Sequence, residues 1–169
     1  NTVPNQFNTV YQLPKSGNSF AFTTLYYPSG GPNYCRRYLL NRIKAKLSGG
    51  QTYCVSFFIN IGNTSSYGTD GFAIYFGDES LDTIKYCNRP LSFITPQVKQ
   101  PDGVPIVDTL GWTAVTGTFV ASGTEKYAVI GIFKPNGQVD TASVNPLFNF
   151  VFVDACIDDV SCIPLNLPA

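Results

Sequence analysis

Along this chain apolar residues recur at every second position, and clusters of Gly, Pro, Asn, Ser and Asp interrupt them roughly every ten residues. That period predicts strands over Ser19–Leu25, Tyr38–Leu47, Thr52–Ile61, Phe72–Phe76, Trp112–Ala121, Tyr127–Phe133 and Phe148–Ile157. Shorter ones are predicted near Ile84–Tyr86, Ser92–Thr95 and Pro105–Val107. In Tyr38–Leu47, Leu40, Arg42, Lys44 and Lys46 share one parity while Leu39, Ile43 and Leu47 share the other, the mark of a half-buried strand. "TYCVSFFINI" and "YAVIGIFK" are apolar on both parities, which predicts inner strands. "YPSGGPN", "LSGGQ", "KPNGQ" and "SGTEK" read as turns, and no segment reads as a long helix. The stretch 78–108 has four prolines and mixed charge, and is read as a long excursion over one edge. The expected fold class is all-β, a two-sheet antiparallel β-sandwich of jelly-roll type.

A chain of 169 residues fits a single domain, 1–169. Charged residues make up 13% and cancel to a net charge of zero, so no field draws in nucleic acid. Histidine is absent, which removes His bases, Ser-His and Cys-His nucleophiles and His-ligated zinc. The mechanism left is a carboxylate pair across a cleft, but Asp70, Asp78, Glu79, Asp82, Glu125, Asp158 and Asp159 all lie in turn-like surroundings and nothing selects two of them. The expectation is a domain without catalysis. No apolar run reaches the ~20 residues of a membrane-spanning helix.

Five cysteines, Cys35, Cys54, Cys87, Cys156 and Cys162, have no CxxC spacing. Disulfides in an exported protein, two bridges with one cysteine over, are the expected use; spacing does not assign the pairs.

Aromatic side chains supply the candidate ligand site. Tyr26, Tyr27 and Tyr34 cluster with Tyr38 around a Gly/Pro turn, either as a sugar-binding patch or as loop and strand filling. Trp112, the single tryptophan, has two readings. It shares parity with Ala114, Thr116, Thr118 and Val120, the more polar side, and so is a candidate platform; packing at the sandwich end is favoured because a lone Trp is usually well buried.

Four phrases, "VPNQFNTVYQLPKSGNSFAF", "RRYLLNRIKAKLSGGQTYCVSFFINIGNTSSYGTDGFAIYF", "GWTAVTGTFVASGTEKYAVIGIF" and "FVFVDACIDDVSC", together resemble a jelly-roll, galactose-binding-like domain of secreted and cell-surface proteins of Bacteroidota. The resemblance covers nearly the whole chain. It implies an extracellular or cell-surface place and an expected further N-terminal segment, and Ala155 stands where the family's terminal motif has a second Asp. Similarity to calcium-bearing jelly-roll modules makes Asp154, with the backbone near Gly17 and Asn18, a candidate structural calcium site; the alternative is an Asp that caps a turn or pairs with a cation. The function expected from this reading is a non-catalytic structural or adhesive module of a surface assembly, with other protein subunits as partners. The alternative is a carbohydrate-binding module with an aromatic sugar platform.

Overall fold

The computed structural model describes residues 11–27, 36–83, 90–146 and 152–165, without the side chains of 82 and 83. The strands are β1 (Ala21–Tyr26), β2 (Leu39–Arg42), β3 (Thr52–Ile61), β4 (Tyr67–Thr69), β5 (Phe72–Gly77), β6 (Val98–Lys99), β7 (Thr113–Val120), β8 (Tyr127–Ile132), β9 (Thr141–Ser143) and β10 (Val153–Pro164). They form two four-stranded sheets, ordered β1-β10-β3-β7 and β2-β8-β5-β6, and a small β4-β9 ribbon. Every pairing is antiparallel. The molecule is the expected antiparallel β-sandwich.

Alternation drives the layering. In β3, Tyr53, Val55, Phe57, Ile59 and Ile61 face inward and are buried, while Thr52, Cys54, Ser56 and Phe58 face outward and stay half-exposed. Opposite them lie Phe72, Ile74 and Phe76 of β5 with Ile130 and Ile132 of β8. Phe76 and Phe119 stack across the layers with ring centroids 4.8 Å apart. Each such side chain contributes about 1.5–3 kcal/mol by leaving water, which fixes the register of its strand. One end of the sandwich is tied by Asp70, whose side chain is fully buried. Its carboxylate accepts from Lys134 Nζ at 2.6 Å, Gly103 N at 2.8 Å and Asp140 N at 2.9 Å, joining three loops.

Several expectations are corrected. The strand over Tyr38–Leu47 is regular only to Arg42. β10 does not stop at Ile157 but continues to Pro164 through an irregularity at Asp158–Ser161, where Asp159 takes a φ of 48°. Ser92–Thr95 is a turn and Pro105–Val107 holds a single bridge, Ile106 to Thr69. Ile84–Tyr86 lies outside the described residues, as do Cys35, Cys87 and Tyr34. Cys54, Cys156 and Cys162 are free thiols, so the five cysteines do not form two bridges. Burial pushes the Cys156 thiol up to about 12 and the Cys162 thiol to about 11. Among the described residues no helix is long and apolar enough to cross a membrane.

Candidate functional site

Trp112 is set by the turn that precedes β7. Asp108 Oδ1 accepts from Leu110 N at 2.9 Å and Gly111 N at 2.7 Å, closing the turn. Asn60, buried on the neighbouring β3, donates from Nδ2 to Gly111 O at 2.8 Å. A Cβ on Gly111 would lie 2.7 Å from Asp108 Oδ2, so the turn takes only glycine there without moving. From this fixed point the pleat of β7 sends Val115 and Phe119 inward and Ala114, Thr116, Thr118 and Val120 outward. Trp112 has the outward parity.

Its ring is half-buried, not inside the sandwich. Residues 11–16 run across the outside of the β1-β10-β3-β7 sheet. Tyr11 N donates to Asn63 Oδ1 at 3.3 Å, and Gln12 Nε2 to Leu110 O at 3.4 Å. Trp112 Nε1 donates to Leu13 O at 3.2 Å, and the Lys15 ammonium sits 4.8 Å from the centroid of Phe58. The strap is fastened at Asp158, whose Oδ2 accepts from Lys15 N at 2.8 Å, and at Asp159, whose Oδ1 accepts from the Ser16 hydroxyl. Phe20 meets Trp112 edge-on, with centroids 6.0 Å apart. The favoured reading of Trp112 as packed at the sandwich end is therefore corrected: it packs on the outer face against Leu13 and Phe20.

Beyond the strap, Ala114, Thr116, Thr118 and Val120 of that face are exposed. Register lines up Asp158, Phe58 and Ala114 in one row across β10, β3 and β7, then Ser161, Ser56 and Thr116 in the next. Ser56 and Ser161 share a hydrogen bond of 2.9 Å, and Thr116 is exposed. Trp112 and Phe58, the latter beneath the Lys15 ammonium, stand at one end of this face, and the transverse row of hydroxyls follows next to Phe58.

Other candidates fall elsewhere. Tyr26 is buried, with the Arg36 guanidinium 4.1 Å from its ring centroid, so it offers no outer platform. A register shift between Thr24 and Tyr26 turns it inward. Tyr27 is half-buried and meets Phe152 edge-on at 6.4 Å. Asp154 stands opposite Thr24, whose Oγ1 donates to Asp154 Oδ1 at 2.5 Å. Burial raises its carboxyl above the usual carboxylate range, against the opposing pull of Thr24 and Arg37. Asn18 is exposed in the turn before β1, so the structure does not bring it to Asp154. Among the described residues no group of three or more Asp, Glu or Cys side chains converges as a metal site.

No family model matches the chain, and no curated protein matches it. Among solved structures it is similar in fold to the CBM22-1 xylan-binding domain of Paenibacillus barcinonensis Xyn10C, at 9% identity and a TM-score of 0.46, over 91% of this chain and 77% of that one. A structure described under "CBM4 structure and function" matches at 14% identity and 0.46, over 86% and 71%. The CBM22-1 and GH10 modules of Clostridium thermocellum endo-1,4-beta-D-xylanase 10B, complexed with xylohexaose, match at 15% and 0.48, over 95% of this chain and 25% of that one. These are likenesses of architecture, and the functional reading rests on the site itself.

Ser56, Phe58, Ser161 and Thr116 were not singled out from sequence. Phe58 sits in an apolar run whose parity does not declare a face, and the two serines meet only because the Asp158–Ser161 irregularity shifts the register of β10 by one residue.

Proposed function

We propose that this domain is a non-catalytic carbohydrate-binding module that works outside the cell and lays a glycan across the open face of the β1-β10-β3-β7 sheet. The observation that carries the reading is Trp112 on the outward parity of β7, on the same face as Phe58 and the Ser161-Ser56-Thr116 row. Sugars present apolar ring faces and polar rims together, and a surface that pairs aromatic rings with fixed hydroxyls matches both. The bond from the indole N–H to Leu13 O holds the ring in place before ligand arrives, which lowers the entropy lost on binding. Electrophoresis through gels containing soluble neutral polysaccharides tests this. The wild-type chain is slowed by at least one of them, and Trp112→Ala, with an unchanged circular dichroism spectrum, is not. Free migration of the wild type in a full panel of glucans, xylans and mannans overturns the proposal.

A second reading, a structural or adhesive unit with protein subunits as partners, is favoured by one observation: strand edges at the margin away from β7 that have no partner among the described residues.

A further inference from the structure

At that margin the two sheets part, leaving an apolar cleft of about 700 Å³. Phe76, Ala128, Ile130 and Ile157 line it from inside, and Arg42 and Lys44 stand on its β2 side. Leu40 and Val160 also line it, 46% and 49% exposed. Trp112 lies before β7 at the opposite edge of its sheet, while Ser161 of the hydroxyl row also lines the cleft, so the two surfaces share this one residue of β10.

Both walls end in strand edges with no described partner. Among the described strands β2 is hydrogen-bonded only to β8. β1 accompanies β10 only as far as the Ala21–Ile157 pair, so from Asp158 to Pro164 β10 is paired on one side, to β3. Such edges carry backbone N–H and C=O groups that invite another strand. Neither Arg42 nor Lys44 forms an ion pair among the described residues. The margin thus combines an apolar interior, backbone edges without a partner among the described residues, and two exposed cations, of which Arg42 also acts at a distance on Glu79.

We infer that this cleft takes an extended strand of a partner polypeptide in which apolar residues alternate with Asp or Glu. A strand turns successive side chains to opposite faces, so one set would enter the cleft while the other met Arg42 and Lys44. An acyl chain would fill the interior but leave the backbone edges as they are, and a sugar would gain little from apolar walls. Charge complementarity and the open edges together select the peptide.

A display library of random seven-residue peptides panned against the whole chain tests the inference, followed by anisotropy titration of a labelled selected peptide. Selection converges on alternating apolar and acidic residues. The double variant Arg42→Glu, Lys44→Glu, altered at two exposed positions and melting as the wild type does, weakens binding at least about tenfold, whereas Lys99→Glu at the far sheet edge leaves it unchanged. Bound peptide slows amide exchange at residues 160–163. Failure to converge overturns the inference, as does equal affinity for the double variant. Saturable binding of dodecanoate with no peptide selected assigns the cleft to an acyl chain and overturns it too.

Discussion

The orientation of Trp112 is decided by two residues that do not touch a ligand, Asn60 and Asp108, because they fix the turn from which β7 starts. Asp108→Ala leaves two turn N–H groups without their acceptor, and is expected to cost about 1–2 kcal/mol in urea unfolding and to shift Trp112 emission to the red. Asp154 gives a pH signature. Its carboxyl is raised by burial, so the unfolded chain gives up this proton at lower pH than the folded one, and its contribution to stability falls as pH rises above the ordinary carboxylate range. Asp154→Asn should remove that fall, which denaturant midpoints between pH 4 and 7 would read. The outward parity of Trp112 was legible in the sequence because β7 is regular. The inward turn of Tyr26 was not, since it depends on a one-residue irregularity in β1 that no local pattern announces.

At the scale of elements, long regular strands were readable and short ones were not. β3 occupies the predicted Thr52–Ile61, whereas β4, β6 and β9, of three, two and three residues, are too short to show a period and exist through their partners. The end of β10 was misplaced because Asp158 and Asp159 look like a turn; they remain in the strand and spend their carboxylates on the strap. The β7–β8 hairpin closes on Glu125. Burial pushes its carboxyl up, but hydrogen bonds from Ser122 and Gly123 outweigh this and hold it below the usual range. This is the opposite sign to Asp154: stability from Glu125 is present above the unfolded-state pKa and lost as pH falls through the folded one. Glu125→Gln should therefore flatten the acid limb of the stability curve measured by thermal melting below pH 5.

At the scale of the molecule, two surfaces meet at β10. The outer face of one sheet carries the aromatic and hydroxyl surface, and the margin carries the edges without a described partner. The fold was legible because alternation and turn residues set the layers, but the face that would bind was not, because it is assembled by cross-strand register between Ser161, Ser56 and Thr116. The frame depends on the buried Asp70 carboxylate and its ion pair with the half-buried Lys134. Asp70→Ala removes the acceptor shared by three donors from two loops and leaves Lys134 without its closest anion, and is expected to cost about 3 kcal/mol in denaturant unfolding.

The chain's single tryptophan lies in the proposed site, so its own fluorescence reports on the central claim. Titration with oligosaccharides of the polysaccharide that slows the chain in gels should change Trp112 emission saturably, with the same dissociation constant as calorimetry on the same sample. Calorimetric binding without any change in Trp112 emission would contradict the account, and would place the glycan away from this face.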